Sequence, residues 1–242
     1  MLDIRRALEY VFDDEQARTK IGVGLLLLLV PIANIVVIGY EVEVARRVAR
    51  GEARPLPAWD DLGQLFVLGG RLSLARFIYG LPILLALVGG GVAVIGLAVQ
   101  ASQSSDPAFG QKAGPTFLLG GLCLVGGVLV YSLVFGFLSP ALLAEYAKHG
   151  TFAACFNLAA IWRFIAREPG QYLTLWLADV VISLAIGLLG SIAAIITGVI
   201  PCVGQLVFLL MTSATAFFIV LVNGHLVGQL LGARNLLSIK ET

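Results

Sequence analysis

Four side chains in this sequence have the types and spacing to do chemistry inside a membrane. Asp179 lies within the apolar run 173–199. An ionisable group inside a hydrocarbon-length helix is costly, which makes it a functional candidate by default. Pro201 marks the turn to the next run, and Asp179 lies 22 residues before it and Asn223 22 after it. In an antiparallel hairpin those two share a depth, with His225 beside them and Gln229 a turn below. Glu145 ends a neighbouring run on the same side. Asp179, Asn223, His225 and Glu145 can therefore be drawn as one polar cluster. A carboxylate and an imidazole together relay protons or hold a cationic group. The plainer reading makes them interhelical hydrogen-bond glue, worth roughly 0.6 kcal/mol each.

Gly224, Gly228 and Gly232 repeat at four-residue spacing on one helical face. Small residues so spaced let a second helix approach closely. That helix belongs either to a partner or dimer mate, or to the same chain. Gly190, Ala194 and Gly198 repeat the spacing in the preceding run, so the two faces can meet each other.

The sequence carries no Walker loop, GxSxG or HExxH pattern. Its histidines are His149 and His225, and Cys123, Cys155 and Cys202 stand far apart. The expectation is no enzyme activity, no cofactor and no metal site. The segments between apolar runs, about 15 to 30 residues long, are too short for a soluble catalytic domain.

The elements that must position these residues are set by the bilayer. Of 242 residues, 59% are hydrophobic and 13% charged, with mean hydropathy +0.95; soluble domains carry about 25% charge. Full spans are expected over 74–99, 116–146, 173–199 and 206–231, joined by a polar Gly/Pro-broken loop at 100–115 and a tight turn from Pro201 to Gly204. Residues 21–40 are long enough to span, but Pro31 and Asn34 interrupt them. Proline breaks the helix ladder, so this stretch is either a kinked span or a re-entrant hairpin. Residues 1–18 place Leu2, Ile4, Leu8, Val11 and Phe12 near one stripe, as in a helix lying on the membrane surface. Glu41–Arg50 is expected to run into the headgroups and stop at Gly51. Trp59 anchors a second interfacial helix over 58–72, and 152–165 forms a third. No cleavable signal peptide is expected, because the N-terminus has acidic residues and lacks an apolar h-region. The fold class is all-α integral membrane: a single polytopic bundle, residues 1–242, of four to five spans with two to three amphipathic helices.

Lys and Arg counts orient it. If 21–40 cross fully, the two sides carry 11 and 5; if the chain turns back at Pro31, they carry 15 and 1. The second fits the positive-inside rule better. Both put 41–76, 146–171 and the C-terminus in the cytoplasm. A weak internal repeat is also visible. Tyr40, a basic stretch, an amphipathic piece and a span are echoed by Tyr146, Lys148, the piece at 152–165 and a span.

The stretch from Asp13 to Phe66 resembles the prokaryotic membrane family called domain of unknown function 4013. The resemblance rests on Asp13, Asp14 and Lys20; Pro31 and Asn34; Gly39 and Tyr40; Arg46, Arg47 and Gly51; Leu56, Pro57, Trp59 and Asp61; and Leu65 with Phe66. Gln16 and Ala17 stand where the family often shows an aromatic. The resemblance is specific over residues 10–90 and loose afterwards. It implies a polytopic helical protein and assigns no activity.

The expected partners are the lipid bilayer and either a membrane protein or further copies of the chain, not nucleic acid. The expected role is an inner-membrane scaffold or accessory subunit. The alternative is a small transporter using the Asp179/His225 region.

Overall fold

The computed structural model describes residues 2–103, 107–198 and 203–234. The turn centred on Pro201, the middle of the 100–115 loop and the tail beyond Arg234 lie outside the described residues. Among those described there are eight α-helices and no strand: α1 (Ile4–Glu9), α2 (Ala17–Leu29), α3 (Asn34–Ala49), α4 (Leu62–Gln103), α5 (Pro107–His149), α6 (Leu158–Arg167), α7 (Pro169–Gly198) and α8 (Val203–Ala233). Two compact units result, one from Met1–Ala75 with Ser139–Thr242 and the other from Arg76–Leu138.

In the larger unit the chain breaks where proline predicts. α2 ends at Leu29, residues 30–33 turn, and α3 starts at Asn34. At 13 residues, α2 is about 20 Å long, short of a hydrocarbon core of about 30 Å. Lys20 and Tyr40 then reach the same short segment. Lys20 Nζ donates to Leu56 O at 2.9 Å, and Tyr40 Oη donates to Pro57 O at 3.0 Å. In one straight helix those residues would stand about 30 Å apart. The chain therefore folds back at Pro31 as a helical hairpin and is not a single kinked rod.

α3 is the centre of this unit. Val36, Val37, Gly39, Tyr40, Glu41, Val42, Val44 and Ala45 are all buried. It packs along α8, which also packs along α7, and α2 lies against both α3 and α8. The charges of Glu43, Arg47 and Arg50 occupy its other face, where they pair with one another and with Glu52. α3 ends at Arg50 and Gly51, whose φ of 74° is the left-handed conformation glycine accepts freely.

The interfacial helix expected at 58–72 is not a separate element. It is the first part of α4, which runs unbroken for 42 residues through Pro82. Asp61 Oδ1 accepts from Gln64 N at 2.8 Å and caps its start. Leu65, Leu68, Gly69, Leu72 and Ala75 are buried at helical spacing. That stripe packs on protein, so no break to a surface orientation occurs at residue 73. The polar loop expected at 100–115 also shrinks, because α4 reaches Gln103 and α5 starts at Pro107. Proline suits a first helical position, where its missing N–H would have no partner anyway.

The N-terminal segment is shorter than the expected 1–18 helix. α1 is followed by a 3-10 turn, Tyr10–Asp13. Ala7, Tyr10 and Val11 are buried against the protein, while Phe12 is exposed. In the smaller unit, the parts of α4 and α5 within Arg76–Leu138 form a helical pair. Tyr131 Oη donates to Tyr79 O at 2.7 Å, and the Tyr79 and Phe135 rings lie 6.1 Å apart.

Among the described residues, four helices are long and apolar enough to cross a bilayer: Leu62–Gln103, Gly114–His149, Pro169–Ala193 and Gly204–Ala233. With the chain's composition, this makes a membrane protein of the all-α type.

Candidate functional site: a polar joint where the hairpin meets the last helix

The residues that carry the family resemblance converge on the joint between α2, α3 and the 51–61 loop. Tyr40 stacks on Trp59 with ring centroids 4.2 Å apart, and Phe217 of α8 closes the group at 5.9 Å from Tyr40. Trp59 Nε1 donates to Lys20 O at 2.9 Å. Lys20 Nζ also meets Asp14 Oδ2 at 2.7 Å, with Asp14 buried and Lys20 partly so. The indole bond ties α2 to the loop after α3, and the ion pair ties α2 to the segment before it. Gly39 supplies the close approach: a Cβ there would overlap Leu65 O, and one on Gly69 would overlap Ile35 O. Arg46 Nε donates to Ala147 O at 2.9 Å, placing a cation on the C-terminal end of α5 as the helix dipole favours.

Burial opposes charge on Asp14, but the Lys20 ammonium, the Gln16 N–H and Arg54 outweigh it and hold its carboxyl below the usual value. A carboxylate whose folded pKa is depressed contributes stability above its unfolded pKa, near 3.9, and loses it as pH falls through the folded value. Thermal unfolding in detergent, followed from about pH 6 down to pH 3, should show this loss below about pH 4. Asp14→Asn should lack that acid-limb component and be less stable at neutral pH. An unchanged acid limb in the variant would remove Asp14 as its source.

Within the expected cluster, Asn223 and His225 turn to different partners. Asn223 turns to α3, where its Nδ2 donates to Glu41 Oε1 at 2.7 Å. His225 turns towards the N-terminal segment: its ring stacks on Tyr10 at 4.2 Å, and its Nδ1 lies 3.0 Å from Gln229 Nε2. Residues two apart on a helix point about 200° apart, so Asn223 and His225 share a depth but not a direction. Glu145 is buried and engages Lys148 and His149 on its own helix. Asp179 is half-buried on α7, in electrostatic range of the Tyr172 phenol.

Glu41 was missed from the sequence. It is only 1% exposed, and its signal was present: Val37, Glu41, Val44, Ala45 and Val48 fall on one helical face, opposite Glu43, Arg46, Arg47 and Arg50.

The glycine face is filled within the chain. A Cβ on Gly224, Gly228 or Gly232 would come within 2.9 Å of Glu41 O, 2.6 Å of Ala45 O and 3.0 Å of Ala49 O. These glycines seat α3, not a partner. They do not face Gly190 either, whose Cβ would meet Thr215 at 2.8 Å.

A polar cavity of about 530 Å³ opens where α1, the end of α3 and the end of α8 meet. Asp3, Arg6, Asp13, Arg50, His225 and Gln229 are among its lining residues. Asp3 and Gln229 close one side with paired bonds, Asp3 N to Gln229 Oε1 at 2.7 Å and Gln229 Nε2 to Asp3 O at 2.9 Å.

Fold and joint together define a polytopic α-helical membrane protein whose first apolar element is a folded-back hairpin. Residues 23–195 match the family described as Protein of unknown function (DUF4013), and the chain belongs to that family. The match takes in Pro31, Gly39, Tyr40, Pro57, Trp59 and Asp61; Asp14, Lys20 and all of α8 lie outside it. No curated protein and no solved structure matches the chain.

Proposed function

We propose that the chain is a non-enzymatic scaffold or accessory subunit of the cytoplasmic membrane, with its C-terminus in the cytoplasm. The observation that carries this reading is the use to which the family-motif residues are put. Pro31 turns the hairpin, Gly39 lets α4 in, Tyr40 and Trp59 lock the loop, Gly51 stops α3 and Asp61 starts α4. These roles build a shape and leave broad apolar faces on α4, α5 and α7 for lipid and for a membrane partner. The test is purification of the tagged protein from its host in mild detergent, with mass spectrometry of what accompanies it. A stoichiometric membrane protein is expected; recovery of the chain alone would overturn the accessory role.

The orientation rests on the 15 to 1 division of Lys and Arg in the folded-back arrangement. In a background without the native cysteines, new cysteines at Leu2 and Ser105 are expected to react with impermeant reagent from opposite sides. Labelling from one side would overturn it.

The second reading, a small transporter using Asp179 and His225, draws on the polar cavity reaching His225. It requires solute flux in proteoliposomes that Asp179→Asn or His225→Gln abolishes.

A further inference from the structure

We infer that the crevice between the end of α5 and α6 binds the phosphate of an anionic glycerophospholipid headgroup. This inference needs the chain to be a membrane protein and does not depend on the accessory role.

The crevice holds about 410 Å³ and is lined by Glu145, Lys148, His149, Ala160, Arg163, Phe164 and Arg167. Its shape follows from local sequence. α5 stops at Gly150, whose φ of 64° turns the chain. Asn157 then caps α6, its Oδ1 accepting from Ala160 N at 3.0 Å. Ala160, Arg163, Phe164 and Arg167 fall on one side of that helix by their three- and four-residue spacing.

The charge in the crevice is unbalanced. Its acid, Glu145, is buried and already met by Lys148 and His149. That leaves the guanidinia of Arg163 and Arg167, both exposed, with the former's Nε tied to Ala159 O at 3.2 Å. The floor is the Phe164 ring, with Lys148 Nζ and Arg234 Cζ each 4.6 Å from its centroid. Arg234 is buried, and its nearest carboxylate oxygen, on Glu168, is 4.0 Å away. An anion with several acceptor oxygens suits the two outward guanidinia of Arg163 and Arg167 beside the Phe164 ring.

The surroundings select a lipid as the source of that phosphate. α6 buries Ile161, Phe164 and Ile165 but leaves Leu158 and Trp162 exposed, Trp162 at 64%. Its apolar arc is thus wider than the protein covers. Glu168 alone separates it from α7, a membrane-crossing helix. A tryptophan at the mouth of a span marks the headgroup level, and basic pockets at that level bind anionic headgroups.

The test is native mass spectrometry of the full chain in detergent, with phosphatidylglycerol or phosphatidylcholine added and inorganic phosphate as competitor. Phosphatidylglycerol should be retained over phosphatidylcholine. Arg163→Gln/Arg167→Gln should weaken its retention by about 25-fold, roughly fivefold per arginine. Arg5→Gln/Arg18→Gln, which removes exposed charges elsewhere, should leave retention unchanged. Equal retention of the two lipids, or of phosphatidylglycerol by both double variants, would overturn the site. Displacement of the lipid by millimolar inorganic phosphate would overturn the lipid as its source. Circular dichroism and a monodisperse elution profile are required of each variant; if the double variant misfolds, the two single substitutions supply the comparison, each expected at about fivefold.

Discussion

Gly69→Ala is expected to lower the thermal midpoint of the detergent-solubilised protein by roughly 10 °C, the effect of about 3 kcal/mol in a chain of this size. The added methyl group would overlap Ile35 O and crowd Gly39 N, while on the opposite helix Gly39 itself lies against Leu65 O. Each glycine faces the other helix's backbone. A flexible side chain could swing aside, but a carbonyl can retreat only if its whole helix moves. α3 is also held on its other face by Gly224, Gly228 and Gly232, so moving it disturbs a second contact. Gly22→Ala, with open space around the new methyl, should be neutral or slightly stabilising, by up to about 1 kcal/mol from helix propensity. Matching melting curves for the two variants would mean that α3 and α4 do not meet backbone to backbone.

Trp59→Ala is expected to cost about 3 kcal/mol, near the lower end for deleting a large aromatic because Trp59 is half-buried. The loss has two separable parts. The ring stacks on Tyr40 and lies 6.3 Å from Phe217, and the indole N–H holds Lys20 O. Trp59→Phe keeps much of the stack and removes the donor, so it should cost only about 1 kcal/mol. Because the indole ties the start of α2 to the loop after α3, its removal should also loosen the hairpin. A cysteine placed at Ile21 should then react faster with a thiol reagent in Trp59→Ala than in the parent. A labelling rate unchanged by Trp59→Ala would mean that the stack stabilises the loop without holding the hairpin closed.

Both variants strike residues that act through the fold. Trp59 reads along the chain as an interfacial anchor. In three dimensions its ring and that of Tyr40 fill each other's space, and their polar atoms bond backbone carbonyls.

The sequence by itself determined the solvent and the punctuation. Long apolar runs with few charges require a bilayer, Pro31 disturbs a helix, Gly51 stops one, and Asp61 sits near the start of another. These are properties of one residue and its nearest neighbours along the chain. One boundary failed because it depends on distant partners. Residues 62–75 were free to be an interfacial helix until Leu65, Gly69 and Leu72 found protein to pack on. Asn223 and His225 part for a reason of phase. Counting from Pro201 put Asp179, Asn223 and His225 at one depth, but depth leaves direction around the helix axis open. Steps of about 100° per residue turn Asn223 and His225 to opposite sides. Only the packing of α3 and of the N-terminal segment decided what each would meet, Glu41 in one case and Tyr10 in the other.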